Sequence, residues 1–92
     1  MIKNFKHKGL KKLFIEGESN KINPDHKRKI KRLMLWLNNI HDINDVGNPN
    51  FGLHRLKGEL DGLYSIKVSG NYRLVFGFSN GDVFDLDYID YH

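Results

Sequence analysis

His54, Asp90 and His92 can carry protons, Lys57 and Arg73 can hold an anion, and Asn71 and Tyr91 can orient one. Imidazole has an unperturbed pKa of about 6.5, so histidine both takes and gives protons near neutrality. Cleavage of RNA without a metal needs three things: a base for the 2′-hydroxyl proton, an acid for the departing 5′-oxygen, and cations for the charge that grows on phosphorus. All three residue types are present. Each also has a plainer use. Arg73 could form a structural bridge with Asp90, His54 and Lys57 could be surface residues beside a turn, Tyr91 could be an interface aromatic, and His92 could fray. His54, Asp90 and His92 offer nitrogen and oxygen ligands, but at no spacing that a metal site uses. No metal or cofactor is therefore expected. His7, His26 and His41 fall in or beside helical segments and receive no role.

The elements that must position these groups are legible as patterns. Residues 5 to 16 set Phe5, Leu10, Leu13 and Phe14 on one side and lysines on the other, and Gly17 follows where a helix would stop. Asn23-Pro24-Asp25 supplies an N-cap, a proline at the first helical position and an acid at the positive dipole end. Ile30, Leu33, Met34, Leu37 and Ile40 keep helical spacing, which predicts a second helix over 24–40 with its basic run outward. Gly47 and Pro49 mark a loop over 44–50. Beyond it, 63–68, 72–78 and 83–89 read as strands, separated by Ser69-Gly70-Asn71 and Asn80-Gly81. A short extended piece over 53–56 and an edge strand over 1–3 complete the expectation.

A two-residue Asn80-Gly81 turn pairs Ser79 with Asp82. An unbroken ladder from there sets Arg73 opposite Tyr88 and Asn71 opposite Asp90, gathering Asn71, Arg73, Asp90 and His92 at one end of one face. The same register puts Val75, Phe84, Leu86, Tyr64, Ile66 and Val68 on that face. A slip of one residue would undo this arrangement.

Composition bounds the function classes. The 92 residues leave room for one domain, 1–92, and 39% hydrophobic content suffices for a core. The absence of cysteine excludes disulfides, thiolate metal sites and a cysteine nucleophile, and suits a reducing compartment. The opening residues carry no secretory pattern, and the longest apolar run cannot span a bilayer, so a cytoplasmic protein without membrane contact is expected. The net charge of +4 is unevenly laid out: residues 1–32 hold eleven Lys and Arg against three acids, whereas 33–92 hold four against eight. Such a basic end attracts a phosphate backbone without reading its sequence, and the plainer alternative is that these lysines are solvated helix exteriors.

Leu-His-x-Leu-Lys-Gly at 53–58, Asn-Tyr-Arg at 71–73 and Tyr-x-Asp-Tyr-His at 88–92 form a specific combination. Together with the opening IKNFKHKGLKKLF, they make the chain resemble the HigB toxins of the RelE/ParE superfamily over nearly its whole length. Residues 16–50 share only helical character. The resemblance implies an α+β fold in which two N-terminal helices pack on a small antiparallel β-sheet, and cleavage of translated messenger RNA in the ribosomal A site. It sets the functional positions on His54, Lys57, Asn71, Arg73, Asp90, Tyr91 and His92, none of them substituted. A helix-turn-helix antitoxin, HigA-like, is the implied partner, and operator DNA is reached only through it. Lys27, Arg28 and Lys31 are the residues expected to grip ribosomal RNA. Two rivals remain, a gyrase poison of the ParE type and a non-enzymatic ribosome-binding or RNA-binding module. The retained histidine and lysine set argues against the first.

Overall fold

The computed structural model describes residues 1–43, 54–56 and 62–90. Helix α1 runs Lys8–Glu16 and begins at His7, whose imidazole accepts the Leu10 N–H at 3.2 Å. It ends at Gly17, where φ is +81° and the N–H returns to the Leu13 carbonyl, a left-handed cap that glycine adopts without a Cβ penalty. Asn23 caps the next element by accepting the Asp25 N–H at 2.9 Å. The first turn, Pro24–His26, is 3-10 and leads into α2, Lys27–Leu37. The helix stops three residues before the expected Ile40, yet Ile40 is still buried in the same core. Among the described residues no helix is long and apolar enough to cross a membrane.

Strands β1 (His54–Arg55), β2 (Tyr64–Ser69), β3 (Tyr72–Ser79) and β4 (Asp82–Asp90) form an antiparallel sheet in sequence order. Asn80 and Gly81 both have positive φ, as a tight two-residue hairpin requires. The N-terminal segment lies along the outer edge of β4, bridging in parallel at Ile2 with Val83 and Phe5 with Leu86. That contact covers an edge which would otherwise stay open. Two helices on one face of an antiparallel sheet make this an α+β fold, as expected.

The core is the layer between helices and sheet. Leu10, Leu13, Ile30, Leu33, Met34 and Leu37 meet Ile66, Leu74, Phe76, Val83 and Leu86 there. On β3 this sets Leu74 and Phe76 inward and Arg73 and Val75 outward, because strand side chains alternate.

Neither neighbour of β3 keeps an unbroken ladder. On the β4 side the pairing slips between Val75 and Gly77, with Asp85 at φ +53°. Without that extra residue Val83 and Leu86, three apart, would point to opposite faces; with it, both are buried. The Asn4 side chain holds the bulge, accepting the Asp85 N–H at 3.0 Å and donating to its carboxylate. On the β2 side the pairing slips between Lys67 and Ser69, and Val68 is the extra residue. Lys29, on α2, donates to the Val68 carbonyl at 2.8 Å.

A left-handed residue in a strand tolerates Asp or Asn but not a β-branched side chain. Asp85→Val should therefore destabilise the protein by about 2 kcal/mol, and Asp85→Asn by less than about 1 kcal/mol. Urea midpoints of the two variants check this, and equal midpoints would count against the bulge as a fixed feature.

Candidate active site

The two bulges change which residues face Arg73. Arg73 pairs with Ile89 and not with Tyr88, and Asp90 pairs with Tyr72 and not with Asn71. The expected gathering of Asn71, Arg73 and Asp90 on one face is thus corrected: the three stay within a residue of each other along the ladder, but Asp90 falls on the Tyr72 side. Asn71 sits in the β2–β3 turn and is exposed. The expected partition of apolar residues is corrected too. Val75 and Phe84 share the outward face with Arg73, whereas Ile66, Val68 and Leu86 lie in the core beneath the helices and Tyr64 packs against it.

On the outward face, the row across the sheet is His54, Ser65, Val75 and Asp87, and the next row is Lys67, Arg73 and Ile89. His54, exposed on β1, therefore points the same way as Arg73, two strands and one pleat away. With strands ~4.8 Å apart and ~3.3 Å rise per residue, their Cα atoms are roughly 12 Å apart, a span that an arginine and an imidazole can close around one phosphate. Lys57, Tyr91 and His92 lie outside the described residues.

Arg73 is half-buried, and its Nη1 is buried with no hydrogen-bond partner. Asp90, the expected bridge partner, stands opposite Tyr72 and so belongs to the other face of the ladder. A buried donor left unsatisfied costs on the order of 1–3 kcal/mol, more when it is charged, and is rare in folded proteins. Beside it runs a groove of about 450 Å³ whose described lining is Lys6, Leu63, Val75, Asp85, Asp87 and Ile89. Asp87, the acid on this face, accepts the Tyr88 N–H at 2.9 Å. The groove is thus of mixed character, with Leu63, Val75 and Ile89 apolar, Asp85 and Asp87 acidic and Lys6 basic, and the unsatisfied Arg73 nitrogen is the group on this face able to take a further acceptor.

Lys67 was not singled out in the sequence. An unbroken ladder sets Val68 opposite Arg73, and only the bulge exchanges the two.

The other side of the sheet explains two histidines without chemistry. His26 is buried, its Nδ1 2.6 Å from the Tyr88 hydroxyl, and its ring meets Tyr72 edge-on. Tyr72 and Tyr88 stack with centroids 5.1 Å apart, and burial, reinforced by Tyr72, raises the Tyr88 phenol above its usual range. Burial pushes His7 below the usual imidazole range, against the pull of Asp87. The neutral ring is the form that can cap α1.

Helix α2 turns a second cationic surface outward. Pro24, Lys27, Arg28, Lys31, Arg32 and Leu35 line a shallow groove of about 490 Å³. Lys27 is paired with Glu18, which the pairing holds below the usual carboxylate range. Arg28, Lys31 and Arg32 are exposed, and Arg32 joins the expected set.

Residues 3–92 match the family model described as RelE-like toxin of type II toxin-antitoxin system HigB. The chain belongs to that family. A curated relative, the Endoribonuclease HigB of Proteus vulgaris, is 39% identical over 92 residues, covering 100% of both chains. Membership in the HigB-like toxins implies an antitoxin partner, and it gives the unmatched arginine a context in which an anionic substrate is expected.

If Arg73 is held for a ligand and not for the fold, removing its charge should not weaken the protein. Arg73→Met is expected to leave stability unchanged or raise it by about 1 kcal/mol, measured by urea unfolding of the free protein. A clear loss would show that the guanidinium has a structural partner after all.

Proposed function

We propose that this HigB-like toxin is a ribosome-dependent endoribonuclease that cuts translated messenger RNA in the ribosomal A site by metal-independent acid–base catalysis, inhibiting translation and growth. The observation that carries the reading is the half-buried Arg73, whose Nη1 is buried with no hydrogen-bond partner among the described residues, on the sheet face where Val75 and Ile89 line a groove. The endoribonuclease name of a full-length relative supports the reaction class.

In the reaction the 2′-hydroxyl oxygen attacks the adjacent phosphorus as its proton passes to a base. The bond from phosphorus to the 5′-oxygen breaks as an acid protonates that oxygen. The products are a 2′,3′-cyclic phosphate and a 5′-hydroxyl end. Arg73 and Lys57 stabilise the phosphorane, a task for which a charged donor in a partly desolvated site is far more effective than in water. His54, Asp90 and His92 form the proton-carrying group, with Asp90 acting from the strand end and not from the Arg73 face. Tyr91 stacks on or orients a base, and Asn71 positions the substrate. Because strongly coupled groups titrate as a unit, base and acid roles belong to the group.

The partners follow. A helix-turn-helix, HigA-like antitoxin neutralises the toxin and carries the pair to operator DNA, and the ribosome in the cytoplasm supplies the message. Arg28 and Lys31, with the partly neutralised Lys27, hold ribosomal RNA through the α2 face.

Primer extension on a translated message, after brief induction, should show cuts inside codons in frame for the wild type and none for Arg73→Ala. DNA damage without cuts would instead indicate a gyrase poison, and neither effect a binding module. His54→Ala and His92→Gln should slow cleavage by roughly 10²- to 10⁴-fold while ribosome binding persists.

Charge reversal at Arg28 and Lys31 should weaken ribosome association and flatten its salt dependence, with a smaller effect at Lys27, whose charge Glu18 already offsets. Sedimentation with ribosomes over a salt series measures it, and unchanged association would remove this role from α2.

A further inference from the structure

We propose that Lys67 is a second phosphate-binding group, paired across the β2–β3 ladder with Arg73 and gripping the RNA backbone with it. The proposal rests on the reading of Arg73 as a phosphate ligand and extends it to a residue outside the family-implied set.

Lys67 and Arg73 are direct Cα partners, so their side chains leave the same face side by side. Directly opposed strand residues have Cβ atoms about 4.5–5.5 Å apart, and like charges set there repel. Neither forms an ion pair among the described residues: Lys67 is exposed on β2, and Arg73 keeps a buried Nη1 with no hydrogen-bond partner. The fold could have avoided the repulsion. An unbroken ladder would set Val68 opposite Arg73, and the bulge that replaces it with Lys67 is fastened by a third cation, Lys29, through the Val68 carbonyl. Two unmatched cations on adjacent strands, with long side chains able to converge, fit a shared anion. For a nuclease that anion is the scissile phosphate or its neighbour. Arg73 supplies a fixed planar fork and Lys67 a mobile point charge.

The test uses the full chain as wild type, Lys67→Gln, Lys67→Arg and Arg73→Gln, with inorganic pyrophosphate as the probe. Without anion, Lys67→Gln should melt no lower than the wild type, since it relieves repulsion. The midpoint rise of the wild type with pyrophosphate should shrink in both Gln variants and return in Lys67→Arg. In single-turnover cleavage of a ribosome-bound message, Lys67→Gln should need roughly tenfold more protein for half-maximal rate, the cost of one charged hydrogen bond. A pyrophosphate response lost in Arg73→Gln but intact in Lys67→Gln overturns the role of Lys67 and leaves the Arg73 reading standing. A wild type that responds to pyrophosphate but cuts no message overturns the nuclease reading while the paired anion site survives. Absence of any response in the wild type overturns the pair itself.

Discussion

The outward face of this sheet is set by a conflict of register. β3 alternates Leu74 and Phe76 into the core with Arg73 and Val75 out of it. On β4 Val83 and Leu86, three apart, cannot both match that alternation, and on β2 the pairing Ser69–Tyr72 next to the turn would, if unbroken, set Val68 and Ile66 opposite the outward residues. Burial of each such side chain is worth on the order of 2 kcal/mol, whereas a bulge forfeits about one ladder pair. Burial wins on both sides, and each break is then fastened by a polar side chain from elsewhere, Asn4 at Asp85 and Lys29 at Val68. The polar side chains exposed on the outward face are a consequence of that compromise. Arg73 has Lys67 and Ile89 as its neighbours because the core required Val68, Leu86 and Tyr88 to turn inward.

A buried guanidinium nitrogen left without a partner on β3 is a cost the fold could have avoided with an acid at position 67 or 89. Its persistence separates residues that hold the protein together from those that hold something else. His26 and Tyr88 illustrate the first kind: both are buried, each satisfies the other, and their rings pack with Tyr72. Arg73 illustrates the second, since its Nη1 is buried with no hydrogen-bond partner among the described residues. Charged groups kept without partners are expected where a ligand completes them.

Local signals carried most of the fold. The Gly17 and Asn23 caps, the apolar stripe of α2 and the Asn80-Gly81 turn each have a short-range cause, and each is found where its cause predicts. The end of α2 came three residues early, since burial of Ile40 does not require it to be helical. What the sequence could not show was the pair of bulges. A strand pattern with apolar residues at 83, 84, 86, 88 and 89 fits either face, and only the packing of Val83 and Leu86 under the helices decides. Every site inference that crossed a bulge was therefore displaced by one residue: Asp90 lost its place beside Asn71, and Lys67 went unseen.

The two cationic surfaces are on opposite sides of the molecule. α2 buries Ile30, Leu33 and Leu37 against the inner face of the sheet, so its outer groove points away from the sheet, while Arg73 leaves by the other face. The protein measures 30 × 28 × 24 Å, so a strand of a few nucleotides lying across Arg73 cannot also reach Arg28 and Lys31 through two packed layers. Affinity that comes from the α2 charges and chemistry that comes from the sheet can act on one substrate only if a much larger body presents phosphates to both sides. A ribosome holding message in a cleft of ribosomal RNA meets that condition, and a short free strand does not. On the proposed reading, dependence on the ribosome thus follows from where the folding of 92 residues leaves its positive charge.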